Sequence, residues 1–238
     1  QLIHSARVHP TSTSVSDHVP RPADLLAAAR GFSAFFWGLL IAAIMLLGAL
    51  SIEVPFLDRA PVHVVGLVIL LNAARLLRKA FPGDGAWQGL VRAYGCIVLV
   101  QFYLLPFLGW WRAGTADWYT RLNILILLAD SLALLVVAQR LVHLMARRLP
   151  ASELVQEARL AMWSLPVLAL AALGMIVRGN QIASHTNPLF ALQQLVVYAH
   201  PWFLFPALLP ALPFLFILWS IKERCLEGLA QPPGGAPD

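Results

Sequence analysis

The sequence predicts an all-α integral membrane protein, built as a bundle of about six transmembrane helices with both termini in the cytoplasm. Hydrophobic residues make up 59% of the 238 residues and charged residues 12%. A soluble domain is nearer 45–50% apolar and about 25% charged. The mean hydropathy is +0.73. Six apolar segments approach the length of roughly 20 residues that crosses a bilayer as a helix, which leaves no room for a sizeable soluble domain.

Three regions follow from the distribution of these segments. Residues 1–31 are predicted to form a polar N-terminal tail, with a short interfacial helix over 24–30. Residues 32–222 are predicted to form the transmembrane domain of six spans. Residues 223–238 end in a run rich in Pro and Gly, which predicts a disordered C-terminal tail.

The first three spans are predicted at 33–52, 62–77 and 90–111. In the first span, Gly38 and Ala42 form a step of small residues four apart, which permits close contact with a neighbouring helix. The residues that follow the third span predict an aromatic belt at one membrane interface. They are Trp110, Trp111, Trp118 and Tyr119.

The fourth span is predicted at 121–140 and the fifth at 161–177. The apolar segment 189–199 is too short to span, and is predicted to lie on the membrane or to dip into it. The sixth span, at 202–221, is interrupted by three prolines, which remove backbone donors and kink a helix. Pro206, Pro210 and Pro213 therefore indicate either a hinge or a static kink.

Orientation follows from the lysines and arginines, which concentrate on the cytoplasmic side of membrane proteins. Most of these basic residues fall on one predicted side of the membrane. Their excess on that side favours an orientation in a bacterial-type inner membrane with both termini in the cytoplasm. The predicted inner residues are Arg7, Arg21, Arg30, Arg75, Arg78, Lys79, Arg92, Arg140, Arg147, Arg148, Arg159, Lys222 and Arg224. The predicted outer residues are Arg59, Arg112, Arg121 and Arg178.

A layer of polar residues is predicted near the bilayer midplane. Counting about 1.5 Å per residue from the span ends places Asp130, Gln101 and Asn72 at similar depth. Arg75 lies about one turn further towards the inner side. Asn123 lies seven residues before Asp130 and therefore shares its helix face.

Two interpretations of this layer compete. A desolvated carboxylate at Asp130 suits proton or cation binding in a small permease or channel component. Alternatively, the amides and the carboxylate form a structural clasp, since hydrogen bonds between helices in lipid contribute under about 2 kcal/mol each. The clasp is the favoured interpretation.

Haem b is a weaker possibility, because bis-histidine ligation needs two histidines that face each other across helices. His63 and His200 lie at the starts of the second and sixth predicted spans, and His185 lies in the loop before the sixth. Histidines at an interface are more often polar anchors. No cofactor or metal is therefore predicted.

Enzyme motifs are missing from the sequence: there is no H-E-x-x-H, no G-x-S-x-G and no P-loop. The sequence therefore predicts a non-catalytic integral subunit of a larger membrane assembly, with lipid and other membrane subunits as partners. A small permease or channel component is the first alternative, and a haem-binding electron-transfer subunit is a second, weaker alternative. The net charge of +5 comes from residues that flank the spans, so no nucleic-acid partner is predicted.

Overall fold

A computed structural model describes residues 21–51, 62–112, 118–149, 152–163, 166–167 and 212–230. Within these ranges the protein is helical, and no strand occurs in them. The helices with described bounds are α1 (Pro22–Ser51), α2 (Val62–Ala80), α3 (Gly85–Arg112), α4 (Trp118–Ala146), α5 (Ser152–Met162) and α6 (Leu212–Ala230).

Three of these helices are long and apolar enough to cross a membrane. The apolar segments are Pro22–Ile44 in α1, Gly85–Phe107 in α3 and the whole of α4. The 29 residues of α4 extend about 43 Å at 1.5 Å per residue. That length matches the roughly 40–45 Å of a bilayer with its headgroups. The described residues are thus all-helical and include three candidate membrane-spanning helices, as the composition predicts.

Helix α1 differs from the prediction at its N-terminus. A separate interfacial helix over 24–30 and a span from residue 33 were expected, but one helix of 30 residues runs through both. Pro22 is its first residue, where proline costs no hydrogen bond. Leu25 and Phe32 are buried in the core, so packing holds the first turns in line with the span. The predicted boundary between tail and membrane domain therefore falls inside a helix.

Helices α1 and α2 pack at backbone distance in antiparallel register. A Cβ atom on either of the first two α1 glycines would lie 2.7 Å from a leucine side-chain carbon of α2. On α2, a Cβ atom on the glycine would lie 3.0 Å from a backbone nitrogen of α1. The contact predicted at the small-residue step is therefore present. The facing pairs are Gly31 with Leu77, Gly38 with Leu70, and Ala42 with Gly66.

Helix α6 packs on α1 and also contacts α5 and α4. Its buried face includes Ile217, Ile221 and Cys225. The helix ends at Ala230, so residues 223–230 are helical rather than part of the predicted disordered tail. The reason is burial: Cys225 is inaccessible and Leu229 packs against the same core.

One end of the bundle gathers several helix termini. Gly228 near the end of α6 approaches a side-chain carbon of Leu25 at the start of α1. The side chains of Asp84, before α3, and Arg148, after α4, form an ion pair. We call this the basic end because exposed basic residues concentrate there. They are Arg30, Arg78, Lys79, Arg92, Arg140, Arg147, Arg159 and Arg224.

The opposite ends of α3 and α4 carry an aromatic cluster. Its rings contact one another around Phe107, whose centroid lies 5.1 Å from that of Trp110 and 5.5 Å from that of Tyr119. Trp118, beside Tyr119, is 74% exposed. Exposed aromatic rings at one end and arginines at the other are typical of the two interfaces of a bilayer.

Candidate functional site

The structure brings Asp130 and Gln101 together between α3 and α4. Gln101 is buried, and its side chain donates a hydrogen bond to the Asp130 carboxylate. The Oδ2 atom of Asp130 is buried and has no hydrogen-bond partner among the described residues. This amide and carboxylate are the pair that the depth count placed in one layer.

Two polar neighbours of Asp130 are satisfied within α4 itself. The Asn123 amide donates to the carbonyl of Tyr119 at 2.9 Å, although it shares a helix face with Asp130. The Ser131 hydroxyl donates to the carbonyl of Leu127 at 2.8 Å. Such bonds to the preceding turn remove the cost of a polar group in an apolar environment. Asn123 therefore needs no contact with the carboxylate.

Asn72 and Arg75 do not join this pair. Both are exposed on α2, and no hydrogen bond or ion pair within the described part of the chain connects them to Asp130. The buried face of α2 follows Leu70, Ala73 and Leu77. Asn72 is two residues from Leu70, and a step of two residues is about 200° around a helix. The depth count could not show in which direction each side chain points around its helix.

The other predicted site residues lie mostly beyond the described ranges. Pro206 and Pro210 are outside them, and Pro213 is the second residue of α6, where the first turn tolerates proline. His185, His200 and the side chain of His63 are also outside them. The residues that the structure does describe contain no group of three His, Cys, Asp or Glu side chains that could hold a metal.

A second polar constellation, which we call the turn cluster, surrounds the connection between α2 and α3. The Trp87 indole N–H donates to the carbonyl of Leu77 at 2.7 Å. The Gln88 amide donates to the carbonyls of Arg78 at 2.8 Å and Phe81 at 2.9 Å. The last carbonyls of a helix lack partners within it, so these side chains complete the end of α2.

The same cluster attaches the end of α4. Asp84 accepts a hydrogen bond from the Trp87 backbone N–H at 2.9 Å, which caps α3, and pairs with Arg148. The Arg148 guanidinium lies 4.4 Å from the Phe81 ring centroid and 5.4 Å from that of Trp87. Burial lowers the pKa of Arg148, but its ion pair and the two rings favour the charged form. One arginine thus connects three helices.

The sequence analysis did not single out the residues between α2 and α3, so it did not find this cluster. An aspartate just before a helix is a recognised capping signal, so Asp84 could have been found. Its pairing with Arg148 could not, because nothing in the sequence relates a turn to a residue after a later helix.

Comparisons with protein-family models, with curated proteins and with solved structures find no match to this chain. The class of protein therefore comes from the fold and the polar pair alone. In the residues that the structure describes, the protein is α-helical and has three helices long and apolar enough to cross a bilayer. A carboxylate–amide pair lies between two of these helices.

Proposed function

We propose that this protein is a non-catalytic integral subunit that packs within a larger membrane-protein assembly. The observation that carries the proposal is an exposed stripe along α2, opposite the face that contacts α1. The stripe consists of Val65, Val68, Asn72 and Arg75. Its steps of three, four and three residues are those of a helix seam that packs against another helix.

The position of Asn72 in the bilayer makes this stripe informative. The antiparallel register places residues 66–77 of α2 beside residues 31–42 of α1. Those α1 residues lie within an apolar part of a helix that runs on to Ser51, so Asn72 lies beside apolar residues of α1. An amide that faces hydrocarbon without a partner costs several kcal/mol. A helix of another subunit that bonds to Asn72 would remove this cost.

The test is to replace Asn72 with leucine, which keeps the size and removes the amide. Val68→Leu is the matched control on the same stripe. After extraction in a mild detergent, wild type is expected to co-purify with stoichiometric membrane partners. Asn72→Leu should weaken that association by about threefold to twentyfold, given roughly 0.6–1.7 kcal/mol for one such bond. Recovery of wild type as a monodisperse lone chain would contradict the proposal.

The proposal includes the remaining topology. We place the basic end in the cytoplasm, because lysine and arginine concentrate on that side. Helix α2 carries three basic residues near its end, which disfavour a position within the bilayer. Its antiparallel register with α1 nevertheless supports α2 as a fourth span. An even number of spans places both termini on the cytoplasmic side of a bacterial-type inner membrane. The sequence predicts six spans.

A small permease or channel component is the second candidate, favoured by one observation. The Oδ2 atom of Asp130 is buried without a partner among the described residues, so a proton or cation could bind there. In reconstituted vesicles, Asp130→Asn should abolish coupled flux while leaving the protein folded. Ser131→Ala, which removes a hydroxyl bonded only to its own helix, should keep the flux. Absence of flux in wild type would exclude this candidate.

A further inference from the structure

A second group of charges lies at the basic end, where α4 ends and α5 packs beside it. Arg140 and His143 lie three residues apart near the end of α4. Arg147 follows directly after the helix, and its backbone N–H donates to the His143 carbonyl at 3.2 Å. Arg159 comes from α5. All three guanidinium groups are close enough to act electrostatically on the His143 imidazole. We call these four residues the arginine cluster.

The packing of α5 fixes the fourth member in place. The Gln139 amide of α4 donates to the carbonyl of Ala161 at 3.2 Å. Leu154, Ala158 and Ala161 form the buried face of α5. Arg159, next to Ala158, is exposed. The last turns of α4, the turn that follows it and α5 therefore place the three arginines around one imidazole.

The positive charge of the cluster is not neutralised by the described residues. Glu153 and Glu157 lie on the same helix as Arg159, but no ion pair links either to the cluster in the described part of the chain. The charged residues of the neighbouring α6 pair with each other, Lys222 with Glu223 and Arg224 with Glu227. The Nδ1 atom of His143 is also buried without a partner among the described residues. Three neighbouring guanidinium groups repel one another, so an anion among them would be stabilised.

The cluster lies at the depth of lipid headgroups. His143 is in the last turn of α4, and the apolar segment of that helix ends at Ala146. Arg147 follows immediately. Leu160, on α5, and Trp163, directly after it, are 63% and 69% exposed. An anion with an apolar tail would meet both the arginines and these apolar side chains, which a soluble anion would not.

We propose that the arginine cluster binds the phosphate of an anionic phospholipid headgroup. Guanidinium groups match phosphate oxygens with paired hydrogen bonds, better than ammonium groups do. Basic sites between helices on the cytoplasmic side of membranes bind such headgroups. Leu160 and Trp163 contact the upper part of the acyl chains. The site is independent of any partner subunit.

The experiment compares the purified protein in nanodiscs of phosphatidylcholine alone and of phosphatidylcholine with phosphatidylglycerol. Lipid retained after transfer to detergent is measured by native mass spectrometry, and Tm is measured in both nanodiscs. Wild type should retain phosphatidylglycerol and gain Tm from it. The double variant Arg147→Gln with Arg159→Gln should weaken lipid retention roughly thirtyfold. Each basic residue near a membrane surface raises the affinity for anionic lipid about five- to sixfold, and the variant removes two.

The matched control is Arg78→Gln with Arg92→Gln, which removes two exposed arginines of the basic end that lie outside the cluster. An equal loss in this control would overturn the proposal, because diffuse positive charge would then explain the binding. Inorganic phosphate alone reproducing the Tm gain would also overturn it, since the site would then serve a soluble anion. If the double variant does not fold, Arg147→Lys with Arg159→Lys keeps the charge. That variant should still lose retention, and full retention would contradict guanidinium recognition.

Discussion

The indole of Trp87 makes two contacts, and a phenyl ring could keep only one of them. Its N–H bonds to the Leu77 carbonyl, and its ring lies beside the Arg148 guanidinium. The side chain is completely buried. A buried carbonyl that loses its donor cannot recover it from water, so the hydrogen bond matters more than its net strength suggests.

Trp87→Phe is therefore expected to lower the free energy of unfolding by about 1–3 kcal/mol. Denaturant titration in mixed micelles, followed by circular dichroism, measures the change. Trp37→Phe is the control, because Trp37 is about half exposed. It should change stability by less than about 0.5 kcal/mol. Equal effects of the two substitutions would show that the Leu77 hydrogen bond contributes nothing.

Cys225 is the residue whose chemistry the fold changes most clearly. Burial in α6 raises the pKa of its thiol from an ordinary value of 9.0 to about 12. The folded state thus holds this proton more tightly than the unfolded state. The contribution to stability is complete below pH 9.0, and it falls as the pH rises from there through the folded-state value.

At pH 8, alkylation of Cys225 should be slower in the folded protein by a factor of roughly a thousand, because the thiolate is the reactive form. The rate is measured with iodoacetamide in a Cys96→Ser variant, which leaves one thiol. The chemically unfolded variant gives the reference rate. Rapid labelling of the folded protein would mean that Cys225 is accessible and that α6 does not pack as described.

Among the described helices, the packing of α1 against α2 depends most on glycines, which have no side chain at the points of closest approach. A Cβ on Gly66 would lie 3.0 Å from the backbone nitrogen of Ala42, and a backbone atom cannot rotate away. By contrast, a Cβ on Gly89 in α3 would meet nothing within 4 Å. Identical substitutions at the two positions therefore separate packing from helix propensity.

Gly66→Ala should destabilise the protein by about 1–3 kcal/mol through overpacking. Gly89→Ala should be neutral or stabilise it by up to about 1 kcal/mol, since alanine favours the helix. Thermal unfolding in one detergent measures both. A stable Gly66→Ala protein would show that the two helices can separate without cost.

Element prediction succeeded where apolar length decides and failed where tertiary contacts decide. The spans in α3 and α4 were placed correctly, because long apolar runs bounded by basic or aromatic residues have few alternatives. A helix over 24–30 was expected, but its continuity with the first span was missed, and so were the last turns of α6. These segments join the long helices because Leu25 and Cys225 are buried in the core. The sequence placed Asp130, Gln101 and Asn72 at one depth, but it did not show that Asn72 is exposed.

For the whole molecule, the arrangement of charge and aromatic rings makes orientation testable. A green fluorescent protein fused after Ala230 should fluoresce, and alkaline phosphatase at the same position should be inactive, if the basic end is cytoplasmic. Phosphatase inserted between α3 and α4 should be active. Activity at both positions would refute the assigned orientation.

The turn cluster also bears on the order in which the protein is made. Every hydrogen bond from Trp87 and Gln88 reaches back ten residues or fewer, so the α2–α3 hairpin is complete soon after its own synthesis. The Arg148 partner of Asp84 emerges from the ribosome only after the whole of α4. The hairpin can thus enter the insertion machinery with these hydrogen bonds formed, before the Asp84 carboxylate has paired with Arg148. The ion pair between Asp84 and Arg148 can form only when the end of α4 lies beside this hairpin.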